Sequence, residues 1–201
     1  ASRGLGDVYK RQSQALEFEN LGFKYLHLVD LDGAIAGNTV NKSAILQILS
    51  AIKIPVQLGG GIRSLDNIET VLSWGISRVI LGTVALKNPD LVRQACKKFP
   101  QKIVVGIDAK NGMVATHGWV DTSIISSLEL AKKFEDCGVS TIIYTDISKD
   151  GAMQGFDYQG TKNLAENLSI PIIASGGVSS AEDIKKISQL EPFGVIGAII
   201  G

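Results

Sequence analysis

Short apolar runs alternate with amphipathic stretches along these 201 residues, and several motifs recur about 116 positions apart. Together they predict an α/β fold of the closed eight-stranded (β/α)8, or TIM, barrel class, built from two half-barrel repeats. The runs cover 25–30, 55–58, 78–82, 103–108, 141–146, 171–175 and 197–201, each flanked by Gly, Asp or Pro. They are nearly continuous in apolar character, as strands covered on both faces of a parallel sheet are. Between them lie helical patterns. In "SIISSLELAKKFEDCG" (123–138), Ile124, Leu128, Ala131, Phe134 and Cys137 form one stripe at spacings of three and four. In "KNPDLVRQACKKF" (87–99), Asn88 is placed to cap a helix and Pro89 suits its first turn. Such alternation means βα units with right-handed crossovers, in an open doubly wound sheet or a closed barrel.

The repeat favours the barrel. Asp30 and Asp146 lie 116 residues apart, and so do "PVQLGGG" (55–61) and "PIIASGG" (171–177), while "VILG" (79–82) and "AIIG" (198–201) are offset by 119. A half of this length holds four βα units, and two halves give eight. A dinucleotide-binding sheet would carry G-x-G-x-x-G after its first strand and an acidic residue about 20 further on. Neither is present.

Composition excludes other classes. With 45% hydrophobic residues and 20 basic against 20 acidic side chains, the chain suits one globular domain with a sizeable core. Nucleic-acid binding is not expected without a basic excess. Nor is a membrane span, since the longest apolar runs fall well short of about 20 residues. A cytoplasmic protein is expected. Cys96 and Cys137 lack a C-x-x-C partner and are expected to be packing residues; neither a metal nor a cofactor is expected.

Two groups of residues carry chemistry. The strand ends run into "GGGIRS" (59–64), "LGT" (81–83), "SGGVSS" (175–180) and Gly201. Glycine lets backbone N–H groups approach an anion, and such loops recur as phosphate sites in barrels. Paired cradles suggest a ligand phosphorylated at both ends, and a branched side chain at Gly61 or Gly177 is expected to block it. Carboxylates form the second group. Asp30, Asp108 and Asp146 close strands, and Asp32 and Asp150 each open a D-G-A turn. Asp30 and Asp32 read equally well as turn-forming or functional. Asp108 follows a wholly apolar strand and precedes "AKNG", a hairpin-like turn that does not need it. It is a candidate general acid or base whose pKa a closed site would raise. His27, inside a strand, reads as a core histidine.

From about Gln14 to Gly201, "HLVDLDGAIAG", "PVQLGGGIRS", "SRVILGTVALKNP", "VVGIDAKNGMVATHGW", "IIYTDISKDGAMQG" and "PIIASGGVSS" together resemble the histidine-biosynthesis isomerases that act on phosphoribosylformimino-aminoimidazole carboxamide ribotide. The resemblance implies a metal-free Amadori rearrangement of a bis-phosphorylated aminoaldose to the aminoketose. It implies Asp108, at the end of the family's fifth strand, as the acid that protonates the ring oxygen. Asp150 and Thr145 would support the reaction. Gly60, Gly61, Gly82 and Thr83 would hold one phosphate, and Ser175, Gly176, Gly177 and Gly201 the other. Arg63 would reach a phosphate or pair on the rim. Trp119, in the loop after the fifth strand, would cover or stack on the substrate, with His117 beside it.

The family's base is an aspartate closing its first strand, and the repeat places that position before residue 1. Residues 1–12 are expected to be a disordered leader outside the family pattern, with a helix starting only at about Ser13. Residues 13–201 are expected to be a partial barrel lacking the first strand and final helix, inactive as it stands and prone to self-association, whereas the full-length form is expected to be monomeric. Alternatives are the related cyclase subunit of imidazole glycerol phosphate synthase, a dual isomerase acting also on phosphoribosylanthranilate, or a phosphate-binding fragment without activity.

Overall fold

The computed structural model describes residues 5–116, 121–151 and 155–200. They belong to two compact units, 1–80 and 81–201. Among the described residues no helix is long and apolar enough to cross a membrane.

The first unit runs α1 (Leu5–Asn20), β1 (Leu26–Val29), α2 (Leu31–Ala36), α3 (Lys42–Ala51), β2 (Val56–Gly59), α4 (Leu65–Ser73) and β3 (Arg78–Leu81). The strands are parallel in the order β1-β2-β3, with Leu28 opposite Leu58 and Leu58 opposite Val79. Helix α1 starts at Leu5 and not near Ser13. Tyr-Lys-Arg-Gln (9–12) contains no breaker and continues the helix upstream. Gln12 ties it to α3 by donating to the Gln47 carbonyl at 3.2 Å.

The second unit contains α5 (Thr83–Lys87), α6 (Pro89–Lys98), β4 (Ile103–Lys110), β5 (Met113–Thr116), β6 (Asp121–Ser126), α7 (Ser127–Lys132), β7 (Thr141–Asp146), α8 (Tyr158–Asn167), β8 (Ile172–Ser175), α9 (Ala181–Ser188) and β9 (Val195–Ala198). Strands β4, β7, β8 and β9 pair in parallel in that order. The Asn88 side chain accepts from Leu91 N–H at 3.3 Å, so α6 is capped as its sequence predicts. Asn111 and Gly112 both take positive φ, 53° and 77°, the signature of a two-residue hairpin turn between β4 and β5.

One prediction fails here. The helix expected over 123–138 begins only at Ser127, because 121–126 form β6, antiparallel to β5. β-Branched Thr122, Ile124 and Ile125 favour the strand. Ser126 and Glu129 then form a capping box that fixes the helix start. Ile124 is fully exposed, and the buried stripe is Ser127, Leu130, Ala131 and Phe134.

The repeat is legible in the elements. Helix α8 lies 116 residues after α3 at both ends, and β8 lies 116 after β2. Glu19 accepts from the N–H groups of Lys53 and Ile54; its counterpart Glu135 accepts from Ser169 N–H. The shift to 119 has a single source, a three-residue 3-10 turn, Glu191–Phe193, between α9 and β9. Strand β9 begins two residues earlier than expected, since a register shift opposite Ile172 and Ile173 lets Val195 pair as well. The fold is thus α/β, made of the repeated parallel βα modules of the (β/α)8 class.

Each copy has a glycine that cannot carry a side chain. A Cβ on Gly60 would lie 2.3 Å from the Asp30 carbonyl oxygen, and one on Gly176 would lie 2.6 Å from that of Asp146. Gly22 also has positive φ, but its Cβ would meet nothing within 4 Å. Gly60→Ala should therefore lower the denaturant midpoint well beyond Gly22→Ala, by about 1–3 kcal/mol on top of the shared backbone strain. Equal losses in the two variants would contradict this packing.

Candidate functional site

Strand register brings three of the candidate residues together. Asp108 on β4 is the partner of Thr145 on β7, and Thr145 is the partner of Ser175 on β8. Register partners in a parallel sheet share a face, with strands about 4.8 Å apart. Asp108, Thr145 and Ser175 thus form one row at the C-terminal ends of three adjacent strands. Thr145 is buried, while Asp108 and Ser175 are half-buried. In the first unit the counterparts of Thr145 and Ser175 are Val29 and Gly59, which pair in the same register and offer no polar side chain.

Asp30, Asp32 and Asp146 are each engaged by the turn that follows their strand. The Asp30 carboxylate accepts from the N–H groups of Gly33 (2.9 Å), Val40 (2.8 Å) and Asn41 (3.1 Å) and from the Asn41 amide (2.7 Å). Burial acts to raise its pKa, but the Asn41 side chain and the three N–H groups outweigh it and hold the pKa below the ordinary value. Asp32 shares the same Asn41 amide at 3.0 Å. Both are therefore engaged in holding the turn. Asp146 likewise accepts from Ser148 N–H and its hydroxyl, at 2.9 and 2.6 Å. The second copy has two residues, Ser148 and Lys149, that the first lacks between the strand aspartate and its D-G-A turn. Asp150 therefore stands clear of Asp146's hydrogen bonds to Ser148, and its side chain is exposed.

The glycine loops prove more structural than their sequence implies. A Cβ on Gly61 would fall on the Gly33 carbonyl and one on Gly177 on the Gly155 carbonyl, each at 2.3 Å. A branched side chain there meets the protein's own backbone before any ligand. Gly82 differs, because it is exposed, has a φ of −95° and leaves open space around a built Cβ; Thr83 beside it is exposed too. Arg63 donates to the Ala34 carbonyl at 2.9 Å and lies against Gly37, so it braces the end of α2.

Sequence reasoning missed Asp183, which is 6% exposed. It accepts from the N–H groups of Ser179 and Ser180, both at 3.0 Å, and from the Ser180 hydroxyl at 2.8 Å. The Ser179 N–H and then the Ser180 hydroxyl hold its pKa below the ordinary carboxylate value. The signal was the spacing Ser180-x-x-Asp183, a capping box at the start of α9.

His27 is half-buried in β1, in register with Gln57, whose amide nitrogen lies 3.1 Å from His27 Nδ1. Burial pushes the imidazole pKa down to about 4, so the ring is neutral and Nδ1 can accept. Cys96 is buried in α6, where burial, and then the nearby Cys137, push its thiol up to about 11. Trp119, His117 and Gly201 lie outside the described residues.

Residues 4–201 match the family described as histidine biosynthesis protein. Three relatives bear the name 1-(5-phosphoribosyl)-5-((5-phosphoribosylamino)methylideneamino) imidazole-4-carboxamide isomerase. One from Trichlorobacter lovleyi is 61% identical over 188 residues, 94% of this chain and 77% of the relative. One from Pelobacter propionicus is 59% identical over 189 residues, 94% and 77%. One from Parvibaculum lavamentivorans is 56% identical over 189 residues, 94% and 78%.

The His27 pKa carries a stability prediction. Its folded value, about 4, lies below the ordinary 6.5, so the unfolded chain takes up the proton first. The contribution is complete above pH 6.5 and is lost as pH falls towards 4, to an extent of about 3 kcal/mol. The stability difference between wild type and His27→Gln, measured by urea unfolding, should narrow across that window. Parallel pH profiles would show that His27 titrates normally.

Proposed function

The chain belongs to the histidine biosynthesis protein family, and on that premise we propose that it is an aldose–ketose isomerase. Its substrate is the bis-phosphorylated aminoaldose phosphoribosylformimino-aminoimidazole carboxamide ribonucleotide, which it converts to the aminoketose. The observation that carries the reading is the row Asp108, Thr145 and Ser175, set beside the loop of Gly176 and Gly177.

The chemistry needs little else. Opening the ribose requires a proton on the ring oxygen, and Asp108 is the carboxyl group assigned to deliver it. The opened sugar is a Schiff base. Loss of the proton from the neighbouring carbon then gives an enol-amine that relaxes to the ketone. One carbon is oxidised and its neighbour reduced within the same molecule, so the electrons balance without a redox cofactor. The proton must pass to a base within about 3 Å, directly or through one water; no described residue is assigned that role. Thr145, beside Asp108, and Asp150, exposed on the next turn, are assigned to orient the opened chain.

One phosphate is assigned to Ser175, Gly176 and Gly177. Gly82 and Thr83 are assigned to the other. The working form we propose is a cytoplasmic monomer, in keeping with a biosynthetic isomerase.

Asp108→Asn tests the acid. In the isomerase carrying this substitution kcat should fall by at least about a hundredfold with KM little changed. Near-normal turnover would remove Asp108 from the role. Gly82→Ala tests the phosphate assignment without disturbing the fold. Its denaturation midpoint should match wild type, while KM for the bis-phosphate rises about tenfold as the methyl group fills the anion's place. An unchanged KM would exclude Gly82 from the phosphate site.

A further inference from the structure

The two glycine loops differ in charge in a way their shared backbone hides. The first carries Arg63 after its glycines; the second has Ser179 at the equivalent place, 116 residues on. The second loop is also the one that holds a buried carboxylate. Asp183 occupies the N–H groups of Ser179 and Ser180, and a Cβ on Gly155 would lie 3.1 Å from its Oδ1. A phosphate dianion arriving at Gly176 and Gly177 therefore meets a loop without its own cation, with two backbone donors already taken and a negative charge behind them.

Lys149 is placed to offset this. It lies in the two-residue insertion, Ser148 and Lys149, that sets the second turn apart from the first. A Cβ on Gly177 would stand 3.0 Å from the Lys149 β-carbon, so the lysine stem begins against the phosphate loop itself. The residue is half-buried and its N–H is anchored on the Asp146 carbonyl at 3.1 Å. Among the described residues, no carboxylate forms a salt bridge with its ammonium group.

We propose that Lys149 is the cation of the phosphate subsite at Gly176 and Gly177, supplying the charge that Arg63's counterpart does not. The proposal rests on the isomerase reading for the identity of the substrate, but not for the presence of an anion site. An ammonium-to-phosphate contact is charge-assisted and persists from ground state to transition state. It therefore acts on binding and leaves the chemical step alone.

The test compares wild type, Lys149→Met and Lys149→Arg in the full chain, with two readouts. The first is the dissociation constant of inorganic phosphate, followed by the amide NMR shifts of Gly176 and Gly177. The second is the KM and kcat of the bis-phosphate substrate. Lys149→Met should weaken phosphate binding and raise KM about tenfold or more, with kcat changed by less than about threefold. Lys149→Arg should recover most of both, and added salt should weaken the wild type more than the Met variant. A role in packing alone would leave the phosphate dissociation constant of Lys149→Met at the wild-type value, and that result overturns the proposal. If phosphate binding depends on Lys149 while no variant, nor the wild type, isomerises the aminoaldose, the subsite stands and the isomerase reading falls.

Discussion

A glycine pressed against the carbonyl of a strand-end aspartate is the contact on which each unit turns. Gly60 against Asp30 and Gly176 against Asp146 leave no room for even a methyl group. The contact forces the chain to leave β2 or β8 through a left-handed residue, with φ of 102° and 87°. It also fixes the aspartate, whose carboxylate then organises the turn that follows: Asp30 holds Gly33, Val40 and Asn41, and Asp146 holds Ser148. The second glycine of each loop packs on that same turn, Gly61 on Gly33 and Gly177 on Lys149, with Gly177 also against the Gly155 carbonyl. Strand end, turn and glycine loop are one mechanical assembly, used twice.

With the scaffold held constant, the copies differ at the residues proposed to carry the chemistry. Val29 and Gly59 become Thr145 and Ser175, and the strand before them supplies Asp108. A two-residue insertion frees Asp150 from the tight turn that engages Asp32, and brings Lys149 to the loop. Asn67 becomes Asp183, so a helix start capped by Ser64 alone becomes a full capping box. Every one of these changes leaves the glycine–aspartate contact untouched. That is why duplication can be read so clearly in the backbone while the row of Asp108, Thr145 and Ser175 lies in one unit.

Much of this was legible in the sequence, and the failures have physical causes. The offset of 116 predicted the equivalence of β2 with β8 to the residue, because strand register admits no slippage without turning side chains to the wrong face. Asn88 and the Asn111–Gly112 turn were legible because cap and hairpin chemistry are local. The stripe from Ile124 to Cys137 misled, since a spacing of three and four can arise across a strand followed by a helix. Ser126-x-x-Glu129 marked the true start. The glycines of "GGG" and "SGG" invited an anion reading, whereas their immediate contact is backbone packing, which depends on residues about 20 to 30 positions away and cannot be seen locally. Asp183 was overlooked for the related reason that its burial depends on the loop it holds.

The most direct test of this account is a crystal structure of the protein with the bis-phosphorylated aminoketose product bound. The account predicts one phosphate on the Gly176 and Gly177 amides and the opened sugar chain within hydrogen-bond reach, about 3 Å, of Asp108 and Thr145. A product with neither phosphate at Gly176 and Gly177, or one whose sugar carbons and oxygens all lie beyond hydrogen-bond reach of Asp108, would contradict it.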